Sequence, residues 1–213
     1  MKGLWMKEVI LLKTTIRMQG VILLIFAAMG IALKNLAYLA MMVMVMTGNV
    51  CVNSLTYDAM ASWNSYAATF PLRRSSLISA KYVLLYVLVS GAAVVMLLVG
   101  IPFSQFAGIT YGECAGTVAA CWGMGLFSGS LNLLLCTKFG VKKAQTLAML
   151  SFLAPFGCVM LLYYLTQKGI IDLGHVTERQ LYLVIAGLAA ATVACSLFFW
   201  RLSCRIFQKQ DLT

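Results

Sequence analysis

The chain of 213 residues is 62% hydrophobic and only 10% charged, with a mean hydropathy of +0.92 and a formal charge of +10. Soluble domains are about 25% charged, so this composition excludes a water-soluble fold. The apolar residues lie in long runs rather than alternating with polar ones, and a helix needs about 20 such residues to cross a bilayer, so the sequence predicts an all-α integral membrane protein.

Residues 1–18, MKGLWMKEVILLKTTIRM, place Trp5, Val9, Leu12 and Ile16 on one helical stripe, with Lys13 and Arg17 a turn apart on another. That pattern suits an interfacial helix at the inner membrane surface, with a plain cytoplasmic extension of the first span as the alternative. No small-residue cleavage site follows the first apolar run, so the segment is expected to be retained.

Six apolar runs predict six transmembrane helices, at roughly 19–35, 36–56, 77–101, 114–136, 144–166 and 180–200. The first is short and leaves only Lys34-Asn35 as a turn before the second, so a re-entrant hairpin is the alternative there. On the outer side a short connection is expected at Thr110–Glu113, after Pro102, and a longer one at Gln167–Gln180, with Asp172, His175 and Glu178. The inner side receives the loop from Thr137 to Lys143 and a basic tail, RLSCRIFQKQDLT. Of 16 Lys and Arg residues, only Lys34, Lys168 and Arg179 then fall outside, a bias that puts both termini in the cytoplasm. The basic balance is thus a topology signal and a means of holding anionic membrane lipids, with no call for nucleic acid. One membrane domain, 1–213, accounts for the chain.

The spans carry little chemistry. Their cores hold Asn49, Asn53, Ser128, Ser130, Asn132 and Ser151 as polar groups, which bond neighbouring helices or touch a substrate. His175 stands alone in an outer loop, and neither an HExxH pair nor a nucleophile elbow occurs, so catalytic and metal sites are not expected. The seven cysteines include no CxxC pair and read as small packing residues, with Cys114 nearest the outer face. WGMGLFSGS, Trp122 to Ser130, lacks the Gly-Lys-Ser/Thr ending of a phosphate loop. Its Gly125 and Gly129, four apart, suit close helix approach or the lining of a permeation path. If this chain moves something with energy, the motor is another subunit.

YDAMASWNSYAATFPLRRS, Tyr57 to Ser75, breaks the apolar pattern between the second and third runs. Met60, Trp63, Ala67 and Phe70 recur at helical intervals with Tyr66 beside them, which predicts a short amphipathic helix. Asp58 stands where a carboxylate caps its first turn, Pro71 stops it, and Arg73 and Arg74 mark the inner boundary. Lys81, farther on, is expected to snorkel to the headgroups. Such a helix either lies in the headgroups or presents its aromatic anchors to a cytoplasmic partner.

Tyr57-Asp58, Trp63, Tyr66, Pro71, Arg74 and Lys81-Tyr82 resemble the inner loop of the small ABC-2 type permeases, as does the opening KGLWMKEVILLK. Arg73 replaces a small polar residue usual in that family, and Glu8 replaces an Asp. The resemblance implies a permease subunit of an ATP-driven exporter in a bacterial plasma membrane, with residues 58–74 as a cytoplasmic coupling loop. It implies a second permease subunit, identical or related, and separate ABC subunits that bind ATP and Mg, with no cofactor in this chain. Among such permeases are exporters of amphipathic cytolytic peptides, the phenol-soluble modulin exporters of staphylococci for example. A different class of function, an ATP-independent immunity protein that sequesters a membrane-active peptide, fits the same six helices.

Overall fold

The computed structural model describes residues 36–61, 74–107, 110–140 and 178–209, with isolated helical positions at 20, 25, 28 and 30. Four helices make up the described residues: α1 (Leu36–Met60), α2 (Arg74–Ala107), α3 (Tyr111–Phe139) and α4 (Glu178–Lys209). Each contains a stretch long and apolar enough to cross a membrane. They fall on the runs expected at 36–56, 77–101, 114–136 and 180–200. The run at 144–166, most of that at 19–35, the N-terminal segment 1–18 and residues 62–73 lie outside the described residues.

The helices outlast the apolar runs that announced them. With 34 residues, α2 rises about 51 Å, well beyond a hydrocarbon core of about 30 Å. It begins at Arg74 and passes through Pro102 to Ala107. Proline removes one ladder hydrogen bond, the one from position 102 to the Leu98 carbonyl, a loss that membrane helices tolerate.

Three expected loops are shorter than the sequence suggested. Tyr111, Gly112 and Glu113 form the first turn of α3, whose opening amides, those of Glu113 and Cys114, donate to the Thr110 carbonyl. Glu113 there suits the positive end of the helix. Glu178 to Gln180 likewise open α4 rather than close a loop. The basic tail is helical to Lys209, because Ser203 and Phe207 continue the buried face of α4 into it. α3 stops at Gly140, whose φ of 77° is one that glycine adopts at little cost, and whose amide donates to the Cys136 carbonyl.

Among the described residues α3 is central, packed against α1, α2 and α4, while α2 also touches α1 and α4. The core runs through Leu39, Ala40 and Met44 of α1, Tyr82, Leu85 and Val89 of α2, Val118, Leu126 and Leu133 of α3, and Phe207 of α4. Cys51, Cys114, Cys121 and Cys136 are buried with them. Gly48 of α1 meets the backbone of Gly125 and Gly129, so the two helices approach where no side chain stands between them. Outward faces of α2 and α4 carry Val87, Val94, Leu98, Leu188 and Phe198, apolar groups suited to hydrocarbon.

Side-chain pairs fix the directions. Tyr82 reaches Ser130 and Trp122 reaches Ser90, so α2 runs antiparallel to α3. Thr137 meets Ser203, and a Cβ on Gly123 would meet Thr192, so α3 and α4 run parallel. Residue 140 and residue 178 therefore stand at opposite ends of the four described helices. The end that holds Asp58 also carries exposed Lys138, Arg201 and Arg205, whereas Glu113 is at the opposite end.

Candidate functional site

The polar chemistry of the described residues gathers where α1 finishes and α2 begins. Buried residues of α1 recur as Ala40, Met44, Gly48, Cys51, Ser54 and Asp58, spacings of four, four, three, three and four that keep one helical face inward. Asp58 is the last of them. Its carboxylate Oδ2 lies 2.6 Å from Lys81 Nζ, with the two side chains 4% and 7% exposed. Lys81 also donates to Ser54 Oγ at 2.8 Å, one turn back along α1. The ammonium is thus held at two points on one helix.

Beside it, Tyr82 is 1% exposed and its hydroxyl donates to the Ser130 carbonyl of α3 at 3.2 Å. The same hydroxyl shares a 2.8 Å hydrogen bond with Ser203 of α4, which Thr137 of α3 approaches at 3.4 Å. Farther along, Tyr86 donates to Ser196, and Trp200 donates to Ser79. These bonds knit α2 to α4, and apolar surroundings make them matter, since no water is at hand to replace them.

This geometry revises two expectations. Asp58 does not stand ahead of a new helix as its cap, because α1 continues through it to Met60 and turns its carboxylate inward to Lys81. Lys81 does not snorkel to headgroups, because a buried carboxylate and a hydroxyl satisfy it within the bundle. Tyr57, next to Asp58, is exposed. The sequence carried a signal for the pairing: Tyr57-Asp58 and Lys81-Tyr82 set opposite charges on the buried faces of two successive helices.

Of the other expected site residues, Trp63, Tyr66, Phe70, Pro71 and Arg73 lie outside the described residues, and Arg74 is the first residue of α2. Gly125, Gly129 and Asn132 are buried in α3, the glycines against α1 and α2 and Asn132 at 2% exposure. Asn49 and Asn53 of α1 are half-buried. The structure therefore brings Gly125 and Gly129 to Gly48 and Leu85, and brings Asp58 to a lysine that sequence reasoning had assigned to lipid.

Compared with known proteins, the sequence matches the family pattern described as ABC-2 family transporter protein over residues 3–208. No curated protein and no solved structure matches it. The match takes in all four described helices and the Asp58–Lys81 pair between the first two, and the chain belongs to the ABC-2 family of transporter proteins.

Proposed function

We propose that this chain is the transmembrane permease subunit of an ATP-driven exporter, moving amphipathic peptides, drugs or lipid-like molecules out of the cell by alternating access. Membership of a transporter family supports the transport class. The observation that carries the finer reading is the joint between α1 and α2. The segment expected to dock on a motor, with Trp63, Tyr66 and Phe70 as anchors, enters the bundle through two helix ends that a buried ion pair holds together.

In this reading ATP and Mg are bound by a separate cytoplasmic subunit, and the membrane part is a dimer of two permease chains about a two-fold axis. Differential affinity of the two conformations for ATP supplies the work. In this reading the end bearing the exposed Lys138, Arg201 and Arg205 faces the cytoplasm, an orientation that the distribution of basic residues supports. Six spans result if residues 19–35 cross once and the return between residues 140 and 178 crosses again, and both termini are then cytoplasmic.

The test is uptake of a fluorescent amphipathic helical peptide by inverted vesicles that contain the chain together with the ATP-binding subunit that co-purifies with it. Uptake that begins on addition of ATP and Mg supports export. Binding of the peptide that is equal with and without ATP supports sequestration in its place.

A further inference from the structure

The Asp58–Lys81 pair has no account in stability alone. Removing two charges from water is expensive, and apolar residues of similar size in place of a buried pair are often neutral or stabilising. Ionisable residues buried inside a membrane bundle are rare and mark functional positions. Local helix energetics also oppose Asp58, which stands in the last turn of α1, at the negative end of the helix dipole. Nothing in the individual helices therefore asks for either charge.

The placement does. Lys81 Nζ is gripped by Asp58 and by Ser54, residues one turn apart, so the contact fixes both the separation of α1 and α2 and their slide along each other. The pair stands at the base of the connection that leaves α1 after Met60 and enters α2 at Arg74. Any displacement of that connection reaches the bundle through these two helix ends. Next to Lys81, Tyr82 carries the restraint on to α3 and α4 through Ser130 and Ser203.

We propose that Asp58, Lys81 and Ser54 form a tie that makes the ends of α1 and α2 move as one body, so that a push on their connection becomes motion of the bundle rather than splaying of the two helices. Lys81 and Ser54 are positioning residues in this scheme, acting through Asp58 and Tyr82. The inference rests on the coupling reading above, and its test separates the two.

Spin-labelled unnatural residues are placed at Met60 and Val83, both exposed, so that the native cysteines stay. Distances between the labels are measured by pulsed electron resonance in the full chain, alone and in complex with its ATP-binding subunit. The unmodified tie is expected to give one narrow distance that stays the same in the ATP-free state and with ATP and vanadate. Asp58→Asn/Lys81→Met, which keeps volume and removes both charges, is expected to lose the single narrow peak. Ser54→Ala, a milder change that spares the ion pair, is expected to give an intermediate width and decides the matter if the neutral pair does not fold. A narrow, unshifted distance in the variants, or a shift in the native tie when ATP is added, overturns the proposal. If no ATP-binding subunit accompanies the chain, the exporter reading fails, while the distances in the chain alone still decide the tie.

Discussion

Gly125→Ala isolates the close approach of α1 and α3. A Cβ at position 125 would stand 2.9 Å from Met44 Cβ and 3.2 Å from the Met44 carbonyl oxygen. Carbon atoms pack best at about 3.5–4.0 Å, so the added methyl is too near by about 0.6–1 Å. Neither neighbour can swing aside, since one is backbone and the other is fixed to it, and the helices must part. Overpacking of this kind costs about 1–3 kcal/mol. Alanine also favours a helix over glycine by about 0.8–1.0 kcal/mol, and Gly91→Ala in α2, where a Cβ would meet nothing within 4 Å, measures that gain alone. The difference between the two variants is then the clash itself, about 5- to 150-fold in the unfolding equilibrium. Unfolding followed by circular dichroism during titration with SDS in mixed micelles reads it. If Gly125→Ala is as stable as Gly91→Ala, the contact of α1 with α3 is not as described.

Lys81→Met alone removes the ammonium that lies 2.6 Å from the buried Asp58 carboxylate and should lose about 3–5 kcal/mol in the same titration, with part of the loss recovered when Asp58→Asn is added. Tyr82→Phe deletes the hydroxyl that meets Ser130 and Ser203 and should lose about 1 kcal/mol, as should Tyr86→Phe through Ser196. Orientation is read from Tyr111→Cys and Phe139→Cys, exposed positions at opposite ends of the bundle. An impermeant maleimide added outside cells should label position 111 and spare position 139, and the reverse would invert the topology. Native Cys114 should stay unlabelled in the folded chain, because packing leaves it only 3% exposed.

The spans were legible because the bilayer imposes one strong constraint, a long apolar run, and α1 to α4 fall where the runs lie. Their ends were not, because helical hydrogen bonding continues wherever packing supports it. Phe207 and Ser203 carry α4 past Arg201 and Arg205, and Phe103 is buried just beyond Pro102 in α2. Asp58 was misread for a related reason. An aspartate placed just ahead of an amphipathic stretch looks like a cap when only its neighbours in the chain are considered. Its partner stands 23 positions on, across a reversal of the chain, where only the tertiary contact reveals it. The inward stripe Gly48, Cys51, Ser54, Asp58 held the clue, since it continues the buried face of α1 to the carboxylate without a break. The spacing of Gly125 and Gly129 suits either close helix approach or the lining of a path, and it does not name Gly48 and Leu85, the groups that stand nearest in the fold.

Affinity purification of the full chain from native membranes, with ATP hydrolysis measured on the eluate, puts the permease reading to its most direct trial. The account predicts that an ATP-binding subunit elutes with the chain and hydrolyses ATP, and that Trp63→Ala abolishes most of that association while the chain itself remains folded. A chain that elutes with no ATPase, or one whose Trp63→Ala variant retains the ATPase in full, contradicts it.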